Sequence, residues 1–331
     1  MAKASRRPDI EERIAEIGAL RAGPDTPEAH AKIEKALGSK RGPLAAAAAR
    51  LIAEAELTGF EQALEAAFER FMEQPVKRDP GCMAKAAVAR ALHHLGTSGQ
   101  AVFLRGIRHV QPEPIWGGTQ DTAVELRGIC AAGLVRSGYP DAVTELADLL
   151  ADPEPMARMG AAQAVAYAGH AEVGVPLLRL RALAGEKDSR VLGACFAGLL
   201  ELAPERCLPF VASFIDHSDD ETAEAALLAL GESRRPAALP ILRTAAEAEL
   251  RPERQTLAYL AIALMRSDGA WDFLLSVVRD ASEARALQAI DALATYRAEP
   301  RMRERALAAV AERGDPRLGA HAERAFADVS G

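Results

Sequence analysis

The chain has 331 residues, of which 49% are hydrophobic and 26% are charged, and its formal net charge is −7. This is an ordinary composition for a folded chain, and the length is ample for a buried core. The acidic balance weighs against a general nucleic-acid binder, because such proteins usually carry a basic surface.

Residues 1–25 predict an N-terminal capping helix. Their first residues are basic, and charged residues return before any apolar segment of the kind found in signal peptides. No stretch of the chain approaches the roughly 18 uncharged apolar residues of a membrane span. The four cysteines have no C-x-x-C spacing, which favours free thiols in a reducing compartment. We therefore expect a bacterial-type cytoplasmic protein without a membrane segment.

Residues 26–331 predict a repeat array, because one short pattern recurs at a nearly constant interval. In most copies a basic residue is followed by two spacers, two small residues and, after two more positions, an apolar residue. The first positions of the copies are Leu44, Lys85, Arg127, Arg158, Arg190, Thr222, Arg254, Arg285 and Arg317. Consecutive copies lie 31 or 32 residues apart from Arg127 onward, but 41 and 42 apart before it. A constant step in this range indicates one supersecondary unit per repeat.

Each repeat predicts two antiparallel helices. Ala142, Leu146 and Leu149 are spaced by three and four residues, which places them on one face of a first helix. The Asp152-Pro153 turn then leads into a second helix, since Asp is a good N-cap and Pro fits the first turn. No window alternates with period two for long enough to predict a sheet. We therefore predict an all-α fold, an α-solenoid of about nine antiparallel helix pairs.

This helix pair, with Asp-Pro in the turn and then Arg, two small residues and an apolar residue, resembles the HEAT repeat. It is most similar to the bacterial HEAT-like type that includes the phycobilin lyases. The resemblance covers about residues 26–330 and implies the fold, whereas many unrelated functions share this architecture. It also implies a structural ladder, in which Asp and Arg side chains of the motif contact one another between consecutive repeats. The ladder positions are Asp121, Arg127, Asp152, Arg158, Arg190, Arg254, Arg285 and Arg317.

The two longer steps indicate insertions between the first and second helices of adjacent repeats, at about residues 72–80 and 109–121. Insertions at the same point of neighbouring repeats are expected to lie side by side, and such insertions often mark the binding face. Lys77, Arg78 and Asp79 in the first insertion, like Glu113 in the second, are interpreted as solvated loop charges. Lys77 and Arg78 are also candidates for contacting a partner.

Residues 109–121 form the least generic segment of the chain. Prolines stiffen it, and Gly117-Gly118 lets the backbone turn back sharply. Trp116 has two interpretations: it packs against the solenoid and fixes the loop, or it contacts a ligand or partner, since Trp is enriched in interaction hot spots. The candidate partner-binding residues of this segment and of the second helices are Glu113, Trp116, Gly117, Gly118, Arg90 and Arg136.

No motif for catalysis, metal binding or cofactor binding is present. The seven histidines form no H-E-x-x-H motif, no zinc spacing with cysteine and no His-Glu dipeptide of the kind that HEAT-like iron hydroxylases use. The chain also contains neither a phosphate-binding loop nor a G-x-S-x-G elbow. We therefore predict no catalytic residue, no metal and no cofactor.

The leading functional prediction is a non-enzymatic scaffold that binds a protein or peptide through its concave face and the inserted loops. A row of basic residues on the second helices favours an acidic partner segment; these residues are Lys85, Arg90, Arg127, Arg136, Arg158 and Arg190. One alternative is a nucleic-acid binding or modifying protein similar to the HEAT-like DNA glycosylases, although aromatic residues are few. Another is a lyase-like protein that handles a small molecule or chromophore.

Overall fold

A computed structural model describes residues 9–96, 99–249 and 251–327. Residues 1–8 of the predicted capping segment lie outside the described residues, as do residues 97–98, 250 and 328–331 of the predicted repeat array. The chain divides into two compact units, Met1–Val173 and Gly174–Gly331, and the boundary between them falls within one helix.

The first unit contains ten helices, two short 3-10 turns and one pair of strands in its described residues. In chain order they are α1 Ile10–Ala19, the 3-10 turn Leu20–Ala22, α2 Pro27–Leu37, α3 Gly42–Glu54, α4 Glu61–Met72, α5 Pro75–Arg78, the 3-10 turn Pro80–Cys82, α6 Met83–Leu95, α7 Gln100–Ile107, β1 Pro112–Ile115, β2 Gly118–Asp121, α8 Val124–Arg136, α9 Ala142–Leu149 and α10 Pro155–Tyr167.

Two rows of helices build the first unit. The second helices of consecutive pairs, α3, α6, α8 and α10, pack side by side in chain order, and α2, α4 and α7 form the row of first helices. Small residues let the second helices approach one another closely. A Cβ atom on Gly160 would lie only 2.6 Å from the Cα atom of Gly128, so the backbones of α8 and α10 meet with no side chain between them.

The second unit is also built of helix pairs. Its helices are α11 Ala171–Leu183, which begins before the boundary, α12 Ser189–Leu202, α13 Pro204–Ala212, α14 Asp220–Glu232, α15 Ala238–Ala248, α16 Pro252–Leu264, α17 Asp268–Asp280, α18 Glu283–Ala294, α19 Pro300–Arg313 and α20 Pro316–Ala325. The second helices α12, α14, α16, α18 and α20 pack in chain order. Side-chain caps start several helices, as at Asp219, whose carboxylate accepts from the backbone N–H of Thr222.

The predicted fold class is confirmed: the described chain is an all-α solenoid, and eighteen of its twenty described helices follow one another as nine pairs, apart from α1 and the short α5. The prediction that no strand forms is wrong at residues 112–121, where β1 and β2 pair in antiparallel register with Pro112 opposite Asp121. A pair of four-residue strands is too short to produce a period-two pattern that stands out in the sequence. Among the described residues, no helix combines the length and the apolar character that crossing a membrane requires.

Candidate functional site

The second insertion is a β-hairpin that precedes α8. Ile115 pairs with Gly118, so Trp116 and Gly117 form a two-residue turn. Gly117 has a φ of +91°, a backbone conformation that residues with a side chain adopt only rarely, which explains the glycine at this position. The turn leaves Ile115 half-exposed and Trp116 fully exposed, at 102% of the reference area. The interpretation that Trp116 packs against the solenoid is therefore wrong.

The two prolines of β1 fit the hairpin without loss of a ladder bond. The backbone N–H of Thr122 donates to the carbonyl of Gln111 at 3.0 Å, which makes this pair a hydrogen-bonded position. Because such positions alternate along an antiparallel ladder, Pro112 and Pro114 occupy the positions whose N–H would point outward. The outer edge of β1 consequently lacks these two N–H donors, which disfavours pairing with a further strand.

The glutamate of β1 ties the hairpin to the first insertion. One carboxylate oxygen of Glu113 accepts from the backbone N–H of Gly81 at 2.7 Å, the Gln111 side-chain amide at 2.6 Å and the Thr122 hydroxyl at 2.8 Å. The interpretation of Glu113 as a solvated charge is therefore wrong, since three hydrogen bonds hold its carboxylate. The structure thus places the two insertions side by side.

A buried ion pair lies beneath this contact. Asp79 is 1% exposed and Lys85 is fully buried, and the lysine Nζ lies 2.9 Å from Asp79 Oδ2. The same carboxylate accepts from the backbone N–H groups of Ala84 and Lys85 at the start of α6. The side-chain amide of Gln111 donates to the backbone carbonyl of Asp79 at 2.9 Å. The prediction of a solvated Asp79 is wrong, because the carboxylate caps a helix inside the fold.

Arg127 joins the hairpin to the following repeat. Its guanidinium donates to Asp121 Oδ2 at 2.5 Å and to the carbonyl of His109 at 2.9 Å, and its Nε lies 3.0 Å from Asp152 Oδ2. The arginine side chain is 2% exposed, and both carboxylates are largely buried. This is a contact between consecutive repeats of the kind that the ladder implies.

The other ladder arginines differ in what they contact. Arg254, Arg285 and Arg317 each reach back into the preceding repeat, where their partners are Asp220, the carbonyl of Glu247 and Glu283, respectively. Arg190 pairs with Asp188 at the start of its own helix, and Arg158 donates to the carbonyls of Asp152 and Pro153. Of the ion pairs named here for the ladder arginines, those in which both partners are largely buried are the pairs of Arg127 at the base of the hairpin.

The basic row on the second helices is not continuous: Lys85 and Arg127 are buried, Arg158 is half-buried, and the exposed members are Arg90, Arg136 and Arg190. Lys85 and Arg127 are buried against carboxylates, which is why neither presents charge to the surface. Arg90 is exposed but pairs with Glu125 on the next helix. Arg136 is exposed and lies over Gly96 at the end of α6.

The charged candidates of the first insertion are more exposed than Asp79. Lys77 is exposed on the short helix α5. Arg78 donates to Glu73 at 2.6 Å and to the carbonyl of Arg70 at 3.0 Å. The structure therefore brings Glu113 and Asp79 together through Gln111. Among the described residues, no hydrogen bond links the side chain of Lys77 or Arg78 to Gln111 or Glu113.

An apolar groove, which the sequence did not reveal, runs over α6, α8 and α10. Its volume is about 350 Å³, and glycines of α8 and α10 form its floor. Its lining residues are Val124, Ile129, Ala132, Met156, Met159, Gly128 and Gly160, with Arg90, His93, Glu125 and Gln163 at the rim. Val124 is the first residue of α8, three positions after β2 ends, so the hairpin leaves the helices at one end of this groove.

The rim of the groove carries little free charge. Arg90 and Glu125 form an ion pair with each other. Burial, together with the nearby Arg136 and His94, lowers the pKa of His93, so this imidazole is neutral at pH 7. The groove therefore presents aliphatic and thioether groups between polar groups that are neutral or paired.

Acid is expected to loosen the base of the hairpin. Burial raises the pKa of Asp121, but hydrogen bonds from the backbone N–H groups of Gln111 and Ala123 and from Arg127 outweigh it, so the pKa is lowered overall. The pKa of Glu113 is also lowered, by hydrogen bonds from Gln111, Thr122 and Gly81 that outweigh burial. A carboxyl whose pKa is lowered in the folded chain stabilises it at pH above the unfolded pKa, and this stabilisation is lost as pH falls through the folded value.

An NMR pH titration of backbone amide shifts tests this. The amides of Gly81 and Gln111, which donate to these carboxylates, should titrate together below the ordinary carboxylic pKa. The backbone amide of Thr222 donates to Asp219, whose pKa is also lowered, by hydrogen bonds from Thr222. Because it lies outside the hairpin, it should titrate independently of the amides of Gly81 and Gln111. If the amide shifts of Gly81 and Gln111 instead titrated at or above the ordinary carboxylic pKa, the hydrogen bonds described for Glu113 and Asp121 would be contradicted.

Comparison with known proteins finds little. No family model matches the chain, and no curated protein matches it. Among solved structures, the crystal structure of an engineered protein is 17% identical and covers 95% of this chain and 90% of its own, with a TM-score of 0.37. The complex of CpcE and CpcF of phycocyanin lyase from Nostoc sp. PCC7120 is 16% identical, with coverage of 80% and 93% and a TM-score of 0.35.

Proposed function

We propose that this chain is a protein-binding module, and that the groove over α6, α8 and α10 accepts the apolar side chains of a partner segment. The observation that carries the proposal is the accessible apolar lining of this groove. Met156, one of its lining residues, is 39% exposed, and Val124, Ile129 and Met159 are each partly exposed. Exposed apolar surface that is contiguous and rimmed by polar residues is typical of interaction sites.

The size of the groove favours one or two large side chains. Its volume of about 350 Å³ is at the low end of the roughly 300–1,000 Å³ of small-molecule sites. An amphipathic helix presents such side chains at intervals of three and four residues to a groove on its partner. Methionine side chains adapt to different apolar shapes, so Met156 and Met159 suit this kind of contact.

The charges favour an apolar partner face over an acidic one. The expectation of an acidic partner depended on a free row of cations, but Lys85 and Arg127 are buried and Arg90 is paired. The same observation gives no support to nucleic-acid binding, which requires cations free to contact phosphates. We therefore propose a protein segment with an apolar face as the partner.

A charge placed in the groove should weaken binding. The probe is a fluorescently labelled amphipathic helical peptide, near neutral in net charge, with leucines three and four residues apart. Met156→Glu should weaken its binding to the full chain at least about tenfold, measured by fluorescence anisotropy, because the new carboxylate would have to be desolvated. Val143→Glu is the matched control, since Val143 on α9 is 38% exposed and lies outside the groove lining.

The control variant is expected to bind the peptide as the wild type does. Circular dichroism should show equal helix content in all three proteins, because both substituted residues are partly exposed. Equal weakening by both substitutions would contradict the groove as the site, and failure of the wild-type chain to bind the peptide would contradict the proposed function.

A further inference from the structure

The first unit carries an exposed apolar projection beside an exposed apolar groove. The projection is the hairpin tip, formed by Ile115 and Trp116, and the full exposure of Trp116 shows that nothing in its own chain covers the indole. The groove begins at Val124, three residues after the hairpin ends. The tip and the groove are complementary in chemistry, and each lacks an apolar partner.

The hairpin is suited to contact a partner through the side chains of its tip and not through its backbone. The two prolines remove outward N–H donors from the edge of β1, so the hairpin is poorly suited to recruit a partner by adding a strand to that edge. No charged residue lies between Pro114 and Gln120. The hydrogen-bonded hairpin fixes the backbone that carries the indole. Binding therefore has to order only the side chain, which has just two χ angles.

The charges of the two surfaces are also compatible. Burying the uncharged tip requires no counter-ion. The rim residues Arg90 and Glu125 already neutralise one another, and His93 is neutral at pH 7. A tip that enters the groove therefore leaves no charge buried without a partner. Burial of an unpaired charge is what usually opposes association of surfaces that contain both polar and apolar groups.

We infer that the hairpin tip of a second copy of this chain occupies the groove, so that two copies exchange tips. The inference rests on the proposed function in one respect, which is that the groove accepts apolar side chains. Because the exchange is reciprocal, a two-fold axis relates the two copies, and the assembly closes as a dimer. The dimer covers the groove that another protein segment would otherwise use.

The expected dimer is weak. An aromatic side chain buries about 150–250 Å², so two exchanged tips bury about 300–500 Å² of tip surface and a comparable area of groove. That total is near or below the roughly 1,200 Å² lower limit of stable interfaces. The chain should therefore self-associate with a dissociation constant in the micromolar range, and dilution should reverse the association.

Sedimentation velocity over a concentration series tests the inference. The wild-type chain should shift from monomer to dimer as its concentration rises, whereas Trp116→Ala and Met156→Glu should each stay monomeric. An equimolar mixture of these two variants should associate again, more weakly than the wild type, because one intact tip can still enter one intact groove. Leu180→Ala, which removes an exposed leucine on α11, should behave as the wild type.

A fluorescence experiment checks the position of the indole directly. The chain has two tryptophans, and Trp271 is buried in the second unit. In a Trp271→Phe chain, the emission of Trp116 should shift to shorter wavelength as the concentration rises, and its quenching by acrylamide should decrease. A Trp271→Phe chain that also carries Met156→Glu should show neither change.

The outcomes separate this inference from the proposed function. A wild-type chain that stays monomeric, or a variant mixture that does not associate, overturns the tip exchange even if the peptide probe still binds in a Met156-dependent way. Conversely, a dimer that requires Trp116 and Met156 in a chain that does not bind the probe supports the exchange and overturns only the proposal of a separate helical partner segment. If both hold, Trp116→Ala should bind the probe more tightly than the wild type at high protein concentration.

Discussion

Replacing Arg127 with methionine is expected to lower the free energy of unfolding by about 3–5 kcal/mol, the usual cost of removing one partner from a buried ion pair. The methionine fills most of the space but leaves Asp121 and Asp152 without the cation between them. It also leaves the carbonyl of His109 without its side-chain donor. The loss should be visible as a lower urea midpoint of the helical circular dichroism signal.

The matched control is Arg90→Met, the same change on a neighbouring second helix. Arg90 is about half-exposed and pairs with the exposed Glu125, and exposed pairs of this kind contribute only about 0–1 kcal/mol. Its variant should therefore unfold close to the wild-type midpoint. If the two variants were equally stable, the Arg127 contacts would not hold the hairpin base as the structure indicates.

A lysine at position 127 should recover only part of the stability. Its single ammonium can face one carboxylate, whereas the planar guanidinium of Arg127 reaches both Asp121 and Asp152. Arg127→Lys should thus unfold between the wild type and Arg127→Met. This order would show that shape, and not only charge, matters at the ladder position.

The repeat frame made the helical fold predictable because it recurs on the second helix of each pair. Gly128 and Gly160 are 32 residues apart, one more than the step from Arg127 to Arg158, so they occupy neighbouring spacer positions of the frame, and they are where α8 and α10 meet. Val124 and Met156 are separated by the same interval, and both line the groove. The groove was missed because the frame shows which positions face the neighbouring helix but not how far the side chains around them remain exposed.

The hairpin was less predictable for a different reason. Strand pairing is a contact between two segments, and Pro112 and Pro114 argue against a strand unless the positions of the ladder bonds are known. The exposure of Trp116 depends on where the turn falls, which is set by Gly117 and by the anchoring of Glu113. None of these follows from a periodic pattern.

The pair of Asp79 and Lys85 matches the ladder pattern and could have been predicted from the spacing of its two residues. Asp79 and Lys85 are six residues apart, as are Asp121 and Arg127. Two features hide this pair in the sequence. Asp79 lies in an insertion, which favours a loop charge, and Lys85 takes the place of the arginine of most later repeats. The structure shows instead that both insertions end in an acidic residue that pairs with the basic residue of the following helix.

These two buried pairs explain how the chain tolerates an exposed tryptophan. A hairpin of two four-residue strands is marginal by itself. Here its base is held by Arg127 on one side and, through Gln111 and Glu113, by the Asp79 segment on the other. The tip is therefore free to present apolar surface without depending on that surface for its own conformation.

Replacing Lys85 with methionine is expected to lower the free energy of unfolding by about 3–5 kcal/mol as well, because Asp79 would keep its helix-capping bonds but lose the buried cation with which it pairs. The control is Lys77→Met, the same substitution eight residues earlier at an exposed position, which should change stability by no more than about 0.5 kcal/mol.

The double variant Asp79→Asn with Lys85→Met decides between two accounts of this pair. If the ion pair is needed only because each charge requires the other, the neutral double variant should regain most of the stability lost in Lys85→Met, as neutral replacements of buried pairs often do. If the pair also positions the Asp79 carbonyl for Gln111, the double variant should be stable, yet its hairpin amides should exchange hydrogen faster than in the wild type. We expect the second result, because Gln111 bonds both that carbonyl and Glu113. Unchanged exchange in a stable double variant would show that the ion pair is not needed to position the Asp79 carbonyl for Gln111.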